Sequence, residues 1–131
     1  MTLDLARQLR AAGLRWEPAS GDRFVVPDRE MDDEVFVLSE MTVEIHDFPS
    51  GRVIGFNGTT EWALDSIEQQ DVVWLPREEQ LRDLMGARFV RLEGVPGGFV
   101  VVVNMGGTDE RHVDIDAERA YARGLLALLT S

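Results

Sequence analysis

A pattern that occurs twice constrains this chain more than any other feature. Residues 8–26 run Gln8-Leu9-Arg10, Gly13, Arg15-Trp16, a Gly21-Asp22 turn, then Phe24-Val25-Val26. Residues 80–103 run Gln80-Leu81-Arg82, Gly86, Arg88-Phe89, a Gly97-Gly98 turn, then Phe99-Val100-Val101. Each copy reads as a helix end, a helix stop, a strand, a turn and a strand. The expected fold class is therefore α+β: antiparallel sheet with about three helices, in two similar helix–hairpin halves. The second copy has one extra residue before its glycine and two more in its hairpin turn, and beyond the aromatic residue its inward parity changes. A β-bulge would shift the parity in this way. True duplication and coincidence both account for the pattern.

Local signals fill in the elements. Thr2 caps a helix over 2–13, in which Leu5, Leu9 and Ala12 share one face and Gly13 supplies the stop. Leu14 and Trp16 alternate with polar neighbours as a strand, and 18–22 is a turn. Residues 27–34 form a polar acidic loop. Val35-Phe36-Val37-Leu38 is apolar on both parities, as a covered central strand is. Val43 and Ile45 begin a hairpin that turns at 48–51 and returns over 52–56. Residues 59–70 favour a short helix or turn, although Trp62, Leu64 and Ser66 also alternate as a strand would. An extended stretch over 71–74 precedes a helix over 76–85, with Pro76 at its first position and Gly86 past its end. Strands follow at 88–93, 98–103 and 111–115. Asp116 caps a last helix that runs to about 129, and Gly124 inside it costs about 1 kcal/mol of propensity, a reasonable cost if the backbone must lie close to a sheet.

At 131 residues the chain is expected to be a single domain, 1–131. It has no cysteine, which excludes disulfides, thiolate zinc sites and a cysteine nucleophile. Its first residues show no basic start followed by an apolar run, and its longest apolar runs are far below the about 20 residues of a membrane span. A soluble cytoplasmic protein is expected, with no membrane partner. The net charge is −11, and all 13 basic residues are arginine. Phosphate backbones repel such a surface, so no nucleic-acid partner is expected.

Candidate chemistry is sparse. His46 and His112 each lie on the parity opposite their strand's aliphatic residues, with Asp47, Asp114 and Asp116 nearby. That arrangement would suit a metal site or a general-base pair, and equally a solvent-facing side of a strand. No paired-histidine metal spacing occurs. The serines lie outside any Gly-x-Ser-x-Gly elbow, and Gly97-Gly98 and Gly106-Gly107 fit hairpin turns rather than a phosphate cradle. The acidic run Asp28, Glu30, Asp32, Asp33, Glu34 lacks the glycine and closing glutamate of a calcium loop. It reads as a solvated loop or as the contact for a basic partner. Trp16, Trp62 and Trp74 are core candidates, and any one left exposed would mark an interface.

The stretch Val53-Ile54-Gly55-Phe56-Asn57-Gly58-Thr59-Thr60-Glu61-Trp62-Ala63-Leu64-Asp65-Ser66, with Val73-Trp74-Leu75-Pro76-Arg77-Glu78-Glu79-Gln80-Leu81-Arg82 and the ending from Ala120 to Leu129, resembles a family of small uncharacterised actinobacterial proteins. The resemblance covers nearly the whole chain. Members are sometimes labelled pilus-assembly proteins, and the ATPase of that label carries a phosphate-binding loop that this sequence lacks. The second half is also similar to small phage-associated α–β–β–α sandwich domains. Neither resemblance supplies catalytic positions, and no cofactor is expected. The leading expectation is a non-catalytic module that binds another protein. The alternatives are a metal- or small-molecule-dependent enzyme using His46 or His112 with carboxylates, and an acidic neutraliser of a basic toxin or nuclease. A symmetric homodimer would cover a sheet edge.

Overall fold

A computed structural model describes residues 1–27, 31–38, 44–48, 51–55, 66–68 and 72–131, with side chains for 1–27, 35–38 and 72–131. In chain order the elements are α1 (Leu3–Ala11), β1 (Arg23–Val26), β2 (Met31–Val37), β3 (Glu44–Phe48), β4 (Gly51–Gly55), β5 (Ser66–Glu68), β6 (Val73–Leu75), α2 (Glu78–Met85), β7 (Phe89–Val95), β8 (Gly98–Asn104), β9 (Asp109–Asp114) and α3 (Ala117–Thr130). The α+β class holds: three helices accompany antiparallel three-stranded sheets among the described residues. No described helix is long and apolar enough to cross a membrane. The chain divides into two compact units, one of Met1–Arg15 with Pro76–Ser131 and the other of Trp16–Leu75.

The first unit gathers all three helices with the sheet ordered β7-β8-β9. Thr2 caps α1 by accepting from Leu5 N at 3.2 Å. At the other end Leu14 N bonds Leu9 O, Gly13 N bonds Arg10 O, and Gly13 takes φ +108°. Those two bonds are a Schellman stop, and they carry Leu14 back against the core. Before α2, Pro76 lies two residues further out than expected: Arg77 is the cap residue, and its N–H donates to the Gln80 side chain at 2.8 Å. The core joins Leu5, Leu9, Leu81, Met85, Val101, Val103, Tyr121 and Leu125. Gly124 lets α3 approach β8, because a Cβ there would meet Val103 Cγ1 at 3.2 Å and Val101 Cγ1 at 3.3 Å. The hairpin of the second sequence copy forms, with a register shift between Phe89 and Arg91 where the parity changes.

The second unit has two sheets, ordered β2-β1-β6 and β3-β4-β5. The first sequence copy makes no hairpin here. Residues 14–17 are not a strand, and β1 pairs with β2 and β6. The Asp22 carboxylate explains the difference. It accepts from Trp16 Nε1 at 2.8 Å and from Ala19 N at 3.0 Å, so the segment closes on itself. Trp16, Phe24, Val26, Leu38 and Val72 form the core, with the Trp16 and Trp74 rings stacked 6.4 Å apart.

Two further expectations change in this unit. Among the described strands β1 is the centre of its sheet and β2 an edge, with Val35 and Val37 exposed, although Phe36 stacks on Phe24. Residues 31–34, expected in a loop, belong to β2 because Val26 pairs with Met31 beyond an irregularity in the ladder. The hairpin of β3 and β4 forms in the expected place. Residues 66–68 pair with β4 as β5, the extended alternative for that stretch, while 59–65 and 69–71 lie outside the described residues.

Candidate functional site

An open cleft of about 560 Å³ lies in the first unit. Four pieces of chain build it, one of them Thr2 at the start of α1. The β7–β8 turn supplies Val95, Pro96, Gly97 and Gly98, the end of β9 supplies Val113, Asp114 and Ile115, and α3 supplies Arg119 and Arg123. The turn is tight because Pro96 presets its own φ and Gly97 takes φ +82°, the combination a type II turn requires. Gly98 then passes so near the end of β9 that a Cβ would meet Asp114 O at 2.5 Å. Asp116 starts α3 by accepting from Arg119 N at 3.0 Å. Residues 119 and 123 are one helical turn apart, so both arginines face β9.

Asp114 holds those arginines in place. Its side chain is only 7% exposed, and its two oxygens accept from Arg119 Nε at 2.9 Å and Arg123 Nε at 2.8 Å. The backbone N–H of Asp116 adds a third bond at 3.0 Å. Burial alone would push this carboxyl up. The hydrogen bonds from Arg123, Asp116 N and Arg119 outweigh it and hold the group down at about 2. Among the described residues neither guanidinium makes another side-chain bond, so four of the five N–H donors of each are uncommitted. The cleft walls add aliphatic surface: Val113 and Ile115 are 59% and 74% exposed.

The face of this sheet that bears Val113, opposite to Asp114, also carries charge. Glu93 bonds Arg91 along β7 and reaches Arg111 Nη1 on β9 at 3.3 Å. These side chains straddle β8, where Val100 and Val102 are buried.

The sequence-level candidates fall in different places. His46 pairs with Val53 in the ladder of β3 and β4, and its side chain is outside the described ones. His112 lies opposite Val101 on β9, two residues from Asp114 as its spacing implies. Its Nε2 sits 2.7 Å from Glu110 Oε1, an ionic contact when protonated but without hydrogen-bond alignment. Asp114 and Asp116, the carboxylates that the spacing offered to His112, are committed to the two arginines and to the cap of α3. No group of three or more His, Asp or Glu side chains is poised for a metal among the described residues. Asp32, Asp33 and Glu34 lie in β2, and Asp28 and Glu30 lie outside the described residues. Trp16 is buried, Trp74 is half-buried, and Trp62 is outside the description.

No family model, curated protein or solved structure matches this chain.

The division into units exposes a feature of charge. Trp16–Leu75 carries fourteen acidic residues and three arginines, whereas the other unit carries ten of each. The whole net charge of −11 thus belongs to the second unit. The sequence shows only the total acidity, because no linker marks the unit boundary. The Arg119–Asp114–Arg123 clamp was missed as well. Its signal was an acid two residues before a helix cap, followed by two arginines at helical spacing.

Proposed function

We propose that this chain is a non-catalytic protein-binding module whose acidic unit engages a basic protein surface. The observation that carries this reading is the segregation of charge, with fourteen acids against three arginines in Trp16–Leu75 beside a unit of zero net charge. A concentrated single-sign field steers an oppositely charged partner and accelerates encounter. Asp28, Glu30, Asp32, Asp33 and Glu34 are the densest part of that field and the proposed contact. The same charge disfavours nucleic acid. A cytoplasmic location and a basic toxin or nuclease as the partner fit this reading.

The test is association kinetics with a basic partner captured by the chain, identified, and then purified. Replacing Asp32 and Asp33 by Asn and Glu34 by Gln should slow association several-fold, with dissociation little changed. Raising salt from about 0.05 M to about 0.5 M should slow it further, as screening shortens the reach of the field. Association indifferent to salt would refute the reading. So would turnover of a hydrolase or phosphatase substrate abolished by one substitution.

A second reading is an enzyme built on His112, favoured by its contact with Glu110. Such chemistry would work at the rim of β9, since neither residue lines the cleft.

A further inference from the structure

We infer that the cleft between the β7–β8 turn and α3 is a binding site for a carboxylate borne on a branched aliphatic body. The site belongs wholly to the unit of zero net charge and does not depend on the acidic unit's partner. Three observations converge on that ligand. First, Arg119 and Arg123 both line the cleft with most of their donors uncommitted, and guanidinium groups match carboxylates in bidentate geometry. Second, one buried carboxylate serves two guanidinium groups, so in the lining of the cleft the arginines outnumber the acids two to one. Asp114 is nearly inaccessible, and an incoming anion would meet the arginines rather than Asp114. Asp116 is turned to the cap of α3. Third, besides Thr2, whose hydroxyl caps α1, and the two glycines of the turn, the lining consists of Val95, Pro96, Val113 and Ile115, aliphatic surface that suits a branched chain. An inorganic anion would leave those walls wet, and a plain hydrocarbon would leave the arginines without a partner.

Pre-positioning supports the site. Each arginine is already held by its Nε, so less side-chain freedom is lost when a ligand binds. The volume of about 560 Å³ lies within the range of small-molecule clefts and would hold one such group with its aliphatic tail. The same carboxylate chemistry comes from a free branched-chain acid, from the C-terminus of a polypeptide ending in valine, or from an internal glutamate between valines.

The experiment is a titration of the full chain followed by amide NMR, reading Gly97, Gly98 and Ile115 in the cleft and Gly13 as a remote control. The probes are 4-methylpentanoate, acetyl-Gly-Val with a free carboxylate, and an acetylated, amidated Gly-Val-Glu-Val-Gly peptide. Each is matched by its uncharged amide or glutamine counterpart. Saturable shifts confined to the cleft are expected, at least tenfold weaker for the uncharged counterparts. Arg123→Gln should weaken binding about tenfold; that side chain is half exposed, so the fold should tolerate the change. Ile115→Ser should weaken it severalfold without altering charge. The probe that binds tenfold better than the others names the source, and equal binding by all three still upholds the carboxylate site. Equal binding of acid and amide overturns the inference, as does an Arg123→Gln variant with unchanged affinity. Shifts outside the cleft, or none at all, overturn it too. None of these outcomes touches the salt-dependent association of the acidic unit, so the two readings fail separately.

Discussion

Asp114 is held charged by three hydrogen bonds, and it links the last strand to the last helix. Its carboxyl lies at about 2, below the ordinary 3.8. A group lowered in the native state stabilises that state above its unfolded value and loses this contribution as pH falls through the folded value. The window is therefore from about pH 4 down to about pH 2, and the contribution is at most about 2 kcal/mol. Urea unfolding should show Asp114→Asn losing less stability than the parent protein across that window. Equal losses would mean that other carboxylates carry the acid sensitivity. Asp22 is the buried counterpart in the second unit. Replacing it by Ala strands the Trp16 indole N–H and the Ala19 N–H, which should cost about 1–3 kcal/mol. Tryptophan emission should shift to the red as the 16–22 loop opens. An unchanged spectrum with unchanged stability would contradict the role given to Asp22.

At the scale of elements, the β7–β8 hairpin distinguishes two glycines that sequence treats alike. A Cβ on Gly98 would meet the backbone at Asp114 O, 2.5 Å away, and Ile115 Cα, 3.1 Å away, whereas one on Gly94 would meet nothing within 4 Å. Gly98→Ala should therefore destabilise by more than about 1 kcal/mol, because a backbone rather than a flexible side chain must yield. Gly94→Ala should stay within about 0.5 kcal/mol, as exposed substitutions do. Chemical denaturation of the pair measures the contrast, and equal effects would remove the close approach. The same contrast marks what sequence could and could not show. Caps at Thr2 and Asp116, the stop at Gly13 and the turn at Gly97 are local chemistry, and residues within a few positions of one another announce them. Whether Gly98 faces a strand end, and whether Val35 faces core or solvent, depends on which strands meet. Four apolar residues at 35–38 signal burial, yet β1 takes the centre of the sheet and leaves Val35 and Val37 outside. Asp22 closed its own loop and so cancelled a strand that alternation at 14–17 had suggested. Arg119 and Arg123 were hidden for a related reason: an i, i+4 basic pair is common on helices, and only its carboxylate on a strand makes it a clamp.

At the scale of the whole molecule, composition has placed a separate probe in each unit. All three tryptophans lie in Trp16–Leu75, and all three described helices lie in the other unit. Tryptophan fluorescence therefore follows the acidic unit, and circular dichroism at the helix minimum follows the neutral one. Self-repulsion destabilises a compact body of one dominant sign, and salt relieves it when charges are separated by more than the screening length of about 10 Å at 0.1 M. Fourteen acids against three arginines should feel this strongly, whereas a balanced set should feel it little. Adding about 0.5 M sodium chloride should accordingly raise the fluorescence midpoint by several degrees and leave the helix midpoint nearly fixed. Probe-dependent midpoints would also show that the chain does not unfold in one all-or-none step. If salt moves both midpoints together, the acids are not acting on one unit alone, and charge segregation loses its standing as the basis for a basic partner. If salt moves neither, the acidic side chains are already spread far enough apart to escape one another, and the field proposed to steer that partner would be too weak to do so.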